Sequence, residues 1–332
     1  MGQPAAQLAR VLVCRTDNIG DVVLTLPLAG FLKQRHPGVN VDFLVRAYAA
    51  PVVRHCRFVD QVLTIEEQSD LQAMYSQGGY DTVIFAYPNR ALAVAARRAA
   101  VANRVGTSHR FFHWFTCNRL AHFSRVRSTL HEAQLNFALL RPLGINHAPA
   151  LSEIPPWYGL EAPQLDAVTA LRAQLPFNVI IHPKSNGNGR EWPLMRWAEL
   201  AQLLGQHAGV GLWLTGSAAE GELLAREAPA LVAMANVRNL CGRFDLSGLT
   251  ALIGAADGLV ASGTGPLHIA AAMGRPVLGL FPPEKPIDAA RWGALGARAR
   301  SLTAAGDSMQ AISAEEVAHV VLGWRHNQNN GI

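Results

Sequence analysis

Cysteine is scarce in this chain: the four present, Cys14, Cys56, Cys117 and Cys241, lie far apart, with no CxxC and no ligand-like spacing. A disulfide framework and a cysteine-held zinc site are both disfavoured, and a reducing compartment is expected. Charge is sparse too. Only 16% of residues are charged while 50% are hydrophobic, which excludes a disordered chain. Long apolar runs are missing, since the stretch from Val22 to Leu32 is short and broken by Pro27, so no bilayer crossing is expected. Met1 to Leu8 lacks a basic end followed by an apolar stretch, so no secretory signal is expected and a cytoplasmic location follows. Neither a Walker loop nor a GxGxxG turn after the first strand is present, which argues against a P-loop NTPase and a dinucleotide-dependent dehydrogenase.

What is present is a long alternation of strand-like and helix-like segments over 332 residues, enough for two domains with separate cores. Val11–Cys14, Val39–Val45, Gln61–Ile65 and Tyr80–Tyr87 have the apolar, β-branched character of strands, with helices expected over Val22–Arg35 and Ala91–Val101. Residues 146–157 then carry three prolines and no period, as an inter-domain linker would. Beyond a helix at Leu165–Leu175 the alternation resumes. Strands are expected at Asn178–His182, Gly211–Thr215, near Val237, at Gly258–Val260 and at Val277–Phe281. The matching helices are Met195–Gln206, Ala219–Glu227, Leu246–Ala256, Gly265–Met273 and Ala314–Arg325, before a polar tail, 326–332, that should fray. The fold class is therefore α/β: two Rossmann-like domains with parallel sheets facing across a cleft. The expected divisions are 1–150, a linker and start of the second domain over 151–176, and a second domain over 177–325.

Chemistry concentrates where strands end. The first strand runs into Arg15-Thr16-Asp17-Asn18-Ile19-Gly20-Asp21, and Asp21 opens an apolar helix at the sheet edge where open α/β folds place ligands. An aspartate there is equally well explained as a helix cap. His182-Pro183-Lys184-Ser185-Asn186-Gly187-Asn188-Gly189-Arg190 joins a strand to a helix and offers two cations, a hydroxyl and turning glycines to a phosphate. Ser262-Gly263-Thr264-Gly265-Pro266-Leu267-His268 is sharper. Thr264 and Gly265 stand at the start of an Ala-rich helix, whose free N–H groups and dipole favour a diphosphate, with His268 on the first turn. Glu220 follows another strand end and could accept the hydroxyls of a ribose, though a first helical turn also favours Glu.

The window Arg90 to Arg141 holds nine arginines against one acid, Glu132, an excess larger than the whole chain's +5. Phe111-Phe112-His113-Trp114-Phe115 lies inside it. Basic residues interleaved with aromatics suit an anionic membrane surface or a phosphorylated glycolipid. A solvated basic face over core aromatics is the plainer explanation. No helix-turn-helix or RNA-binding signature accompanies the window, so nucleic acid is not expected as a partner.

Taken together, Arg15 to Leu24, Arg190-Glu191-Trp192-Pro193 with Trp197, Gly216 to Glu220, and Gly263 to Ala272 resemble the ADP-heptose-dependent heptosyltransferases of lipopolysaccharide core assembly, in the same order over nearly the whole chain. The resemblance implies a GT-B arrangement, an N-terminal acceptor domain and a C-terminal nucleotide-sugar domain. It implies an inverting transfer with no metal and no cofactor beyond the nucleotide-sugar donor, and the chain indeed lacks the Asp-x-Asp of other glycosyltransferases. By resemblance Asp21 is the catalytic base. The resemblance also implies that Arg190, Thr264 and Gly265 meet the donor diphosphate, that His268 is a donor-site histidine and that Glu220 meets the ribose, while the loop's own chemistry adds Lys184 and Ser185 to the expected diphosphate contacts. Asn18, Arg97, Arg98 and Arg104 are the candidate acceptor contacts. The partners implied are the donor, an anionic glycolipid acceptor and the cytoplasmic face of a Gram-negative inner membrane. The chain departs from relatives in three places: Gly263 stands where they carry Asp, Arg190 where they carry Lys, and Phe281 to Pro286 replaces a Gly-Pro-Thr type of loop. A nucleotide-sugar epimerase and a non-catalytic nucleotide-sugar-binding module of the same fold are the alternatives.

Overall fold

The computed structural model describes residues 8–329 apart from 186 and 188; Asn186 and Asn188 of the expected phosphate loop, and residues 330–332 of the expected tail, lie outside them. The chain forms two compact units that divide between Leu160 and Glu161.

The first unit is built on strands β1 (Arg10–Cys14), β2 (Asn40–Val45), β3 (Val62–Thr64), β4 (Thr82–Phe85), β5 (Asn103–Thr107) and β6 (Arg119–Ala121), in the order β3-β2-β1-β4-β5-β6. Every adjacent pair is parallel. Val11, Leu12 and Val13 are fully buried and Cys14 nearly so, as a central strand covered on both faces requires. Each large apolar side chain removed from water in this way contributes about 1.5–3 kcal/mol.

The second unit repeats the plan with β7 (Phe177–His182), β8 (Val210–Leu214), β9 (Val237–Asn239), β10 (Gly258–Ser262), β11 (Val277–Phe281) and β12 (Ala299–Thr303), ordered β12-β11-β10-β7-β8-β9 and again parallel throughout. Its core includes Trp192 and Trp197, both buried, with ring centroids 5.0 Å apart and edge to face. In each sheet the order reverses between the first strand and the fourth, and the crevice beyond the carboxyl ends at that point is where such folds bind ligands.

Several expectations change in detail. The single helix over Val22–Arg35 is two, Ile19–Val23 and Pro27–Arg35, because Pro27 has no N–H to continue the first helix and instead begins the second. The proline-bearing segment before residue 160 is no loose linker. Ile154 and Tyr158 are buried, and the Trp157 ring meets Phe31 edge-on at 5.1 Å. Gly30 permits that contact, since a Cβ there would stand 2.4 Å from the Trp157 carbonyl oxygen. The last helix runs Ala314–Asn329, past the Arg325 at which it was expected to end. Among the described residues no helix is long and apolar enough to cross a membrane.

Candidate active site

At the end of β1 the Arg15 side chain, only 3% exposed, organises a cluster of acids. Its Nε donates to Asp17 Oδ1 at 2.8 Å, and Nη2 donates to Asp21 Oδ1. Its Nη1 donates to the Ala86 carbonyl at 3.2 Å, just beyond β4, and lies 3.7 Å from Glu132 Oε1. Arg125 joins from beyond β6, its Nη1 3.2 Å from the same Glu132 oxygen. Asn136 closes the network by donating to Leu24 O and Thr25 Oγ1, while Thr25 donates to Asp21 O at 2.7 Å. Three carboxyl groups thus share two guanidiniums in a largely dry pocket.

That environment tunes the acids. Burial raises the Asp21 pKa; Arg15 opposes the rise and Glu132 adds to it. Asp17 is pushed up to about 6 by burial, again against the pull of Arg15 and with the help of Asp21. Burial would discharge the Arg15 guanidinium, but Asp21, Asp17 and Glu132 raise its pKa and keep it charged. Asp21 is not the helix cap. Asn18 occupies that position, and the Asp21 carboxylate points to Arg15, with Oδ2 unpartnered among the described residues.

The acceptor candidates do not converge. Asn18 is exposed one turn before Asp21, and Arg97 is exposed with its Nη1 donating to Phe115 O at 2.6 Å. Arg98 faces a groove of about 710 Å³ beside Arg90 and Asp70. Arg104 is spent on structure: it lies near the start of β5, at the opposite sheet edge from Asp21, and its guanidinium donates to Thr116 O and Val101 O. Sequence reasoning passed over Arg15, Asp17, Arg125, Glu132 and Asn136. Arg15 and Asp17 stood inside the quoted motif, and their spacing to Asp21 was a usable signal; the other three come from 110 residues or more along the chain.

In the second unit the corresponding edge gathers the donor candidates. Thr264 precedes the helix Gly265–Ala272, no side chain caps that helix, and Thr264 Oγ1 is buried with no hydrogen-bond partner among the described residues. His268 is buried on the first turn. The neighbouring loop after β7 is held by Glu191, which was not expected: it pairs with Lys184 Nζ and accepts from Ser185 N at 2.8 Å and Ser185 Oγ at 3.1 Å. Burial would raise the Glu191 pKa, but these donors bring it below the usual range. Arg190 reaches the other way, its Nη2 2.5 Å from Glu284 Oε2 and its Nη1 donating to Asp307 O at 2.9 Å. Glu220 completes a capping box with Ser217, so Oε2 accepts from Ser217 N at 2.7 Å. His182, at the end of β7, is buried and hydrogen-bonded to Thr215 Oγ1 at 2.9 Å. Burial drives its pKa down to about 4, against Glu220 and Glu191, so it is neutral.

An uncapped helix start with an unpartnered buried hydroxyl, near the cations Lys184 and Arg190, has the donors an anion would need. A carboxylate of raised pKa at the carboxyl edge of the first sheet has the chemistry to accept a proton. The sequence pattern of glycosyltransferase family 9 (heptosyltransferase) matches residues 71–319. Lipopolysaccharide heptosyltransferase 1 of Salmonella typhimurium is 24% identical over 306 residues, covering 83% of this chain and 89% of that protein. Among solved structures, the glycosyl transferase family 9 protein of Veillonella parvula superposes with a TM-score of 0.79 at 20% identity, over 96% of this chain and 98% of that one. E. coli ADP-heptose lps heptosyltransferase II does so with a TM-score of 0.72 at 20% identity, over 96% and 99%. The chain therefore belongs to glycosyltransferase family 9, the heptosyltransferases, and is a glycosyltransferase.

Proposed function

We propose that this enzyme transfers a heptose from ADP-heptose to a lipopolysaccharide-core or related glycolipid acceptor, with inversion at the anomeric carbon and without a metal ion. The observation that carries the reading is Asp21: a carboxyl group whose burial raises its pKa, held through one oxygen by Arg15 and free at the other. In this reaction the acceptor O–H attacks the anomeric carbon and its proton passes to Asp21 Oδ2. The bond from that carbon to the diphosphate breaks, and its electron pair leaves on the phosphate oxygen. A single displacement of this kind inverts the carbon.

The charge that develops on the leaving diphosphate is met by Arg190, Lys184, Ser185 and the first turn at Thr264, Gly265 and His268. Thr264 Oγ1, buried and unpartnered, supports that placement. Glu220 keeps one carboxylate oxygen for the ribose, the other being taken by Ser217. On the acceptor side Asn18, Arg97 and Arg98 remain exposed and available to an anionic glycolipid, whereas Arg104 is tied to Thr116 O and Val101 O at the opposite sheet edge. A lipid-borne acceptor places the enzyme at the cytoplasmic face of the inner membrane. The name of the E. coli structural relative carries the same donor and product class.

The test is a transfer assay with ADP-heptose and a heptose-deficient core lipid, run beside UDP-, GDP- and other ADP-sugars. Turnover of ADP-heptose into a glycolipid product of inverted anomeric configuration is expected. Retained configuration, or donor consumption with no acceptor present, would refute the reading, the second outcome in favour of an epimerase.

A further inference from the structure

Phe111, Trp114 and Phe115 are 79%, 56% and 59% exposed, three large aromatic rings standing in water within five residues. Soluble surfaces scatter such residues singly, and a contiguous set marks an interaction site. The rings are held and not loose. Phe111 and Phe115 meet edge-on at 5.1 Å, and Arg97 fixes the turn through Phe115 O. Trp114 satisfies its own N–H on Ser108 O at 2.9 Å, so its ring has no further polar demand.

Their position matters as much as their exposure. Ser108 directly follows β5, and His122, whose ring lies 6.3 Å from that of Trp114, directly follows β6. All six strands run parallel, so both points lie at the sheet edge that carries Arg15 and Asp21. Beyond β6, Val126 is 92% exposed, next to exposed Arg127, and Arg110 is exposed just before the rings. Residues 90–131 contain no acid at all.

We propose that this patch seats the enzyme on an anionic phospholipid bilayer, with the three rings at headgroup depth and Arg110 and Arg127 toward lipid phosphates. Aromatic rings prefer that boundary, and arginines nearby are attracted to the negative surface potential. A second copy of the chain fits poorly, because a self-paired patch would set arginines against arginines with no acid between them. The surface rests on the proposed function only for its purpose, since it would hold Asp21 facing the layer in which a lipid-borne acceptor lies.

The experiment is co-sedimentation of the full chain with vesicles of phosphatidylcholine alone or of phosphatidylcholine with phosphatidylglycerol. Binding should be at least about tenfold stronger to the anionic vesicles and should weaken sharply at high salt. The triple variant Phe111→Ser, Trp114→Ser, Phe115→Ser should lose most of that binding with an unchanged melting temperature. Should the triple variant fold poorly, Trp114→Phe gives a second measure: brominated anionic lipid quenches part of the wild-type tryptophan fluorescence, and the variant should lack that part. Equal binding to both vesicles, undiminished binding by the folded variant, identical quenching in Trp114→Phe, or self-association through the patch without vesicle binding would each overturn the proposal. Donor affinity measured without vesicles tests the transferase reading separately, so either can fail alone.

Discussion

Arg15 in the first unit is 3% exposed and shared among three acids, whereas Arg190 in the second is 46% exposed and paired with a Glu284 that is itself half in water. Both are guanidinium–carboxylate contacts at a strand's carboxyl edge, yet they differ in kind. Removing one partner from a buried pair leaves an uncompensated charge and costs about 3–5 kcal/mol. An exposed pair is screened by solvent and is worth about 0–1 kcal/mol. On the proposed mechanism, the first arrangement would fix the base in place before any substrate arrives. The second keeps a cation available, because a diphosphate can displace a carboxylate that holds it only weakly.

The strongest way to break this comparison is Asp21→Asn. The amide oxygen can still accept from Arg15, so the buried network and the fold should survive while the proton acceptor is lost. Turnover is expected to fall by about 10²–10⁴-fold, the range general base catalysis supplies, with donor affinity unchanged by calorimetry. Near-normal turnover in a folded variant would reduce Asp21 to a partner of Arg15.

Arg190→Ala addresses the other side. A charge-assisted hydrogen bond to phosphate is worth about 1.5–3 kcal/mol, so donor binding should weaken by about 10–150-fold. The melting temperature should barely move, since only the exposed pair with Glu284 and one bond to Asp307 O are lost. An unchanged donor affinity would remove Arg190 from the diphosphate site.

Those two sites were not equally legible in the sequence. The helix start at Thr264 is local: strand, glycine-bracketed threonine and Ala-rich helix are contiguous, and they fold as the pattern implies. Asp21 lies at the first strand's edge, as the sequence implied, but its surroundings were not legible there. Glu132 reaches Arg15 from across the sheet order with Arg125 paired to it, and no local pattern announces a contact between residues 15 and 132. The basic window misled in part for the same reason. Arg104 and Arg125 look like surface charge in a list of residues, yet both are consumed by backbone carbonyls or by buried Glu132. β5 and β6 were missed there because polar residues, among them Asn103, Arg104 and Arg119, interrupt any apolar run. Both sheets were legible at their centres, where burial on two faces forces unbroken Val, Ile and Leu.

The pH dependence sharpens the contrast further, because two properties of the first unit should move in opposite directions. Burial raises Asp17 to about 6, against Arg15 and with Asp21, and it raises Asp21 as well. A folded-state pKa above the unfolded one means that the native protein holds protons the unfolded chain has released. The resulting stability is fully present below the ordinary aspartate range and is lost as pH rises through about 6. On the proposed mechanism turnover should behave inversely, since Asp21 would have to be ionised to accept a proton. From pH 4 to 7 the melting temperature contributed by Asp17 should decline, while kcat should rise as pH climbs through the raised pKa of Asp21. Asp17→Asn should flatten the first trend. A melting profile with the same slope in wild type and variant would show that Asp17 titrates as an ordinary surface acid.

The smallest effect belongs to Glu284. If its carboxylate stands where donor phosphate binds, every binding event must first break the Arg190–Glu284 contact, whose side chains are 46% and 50% exposed. At such exposure the contact is worth at most about 1 kcal/mol, so Glu284→Ala should tighten donor binding by no more than about fivefold. Fold stability should stay the same, and the gain should vanish in an Arg190→Ala background. The sign separates two roles for the loop after β11. Weaker binding in Glu284→Ala would mean that the carboxylate orients Arg190 toward the diphosphate, and the second unit would then resemble the first, with its cation held ready by an acid and not borrowed from one.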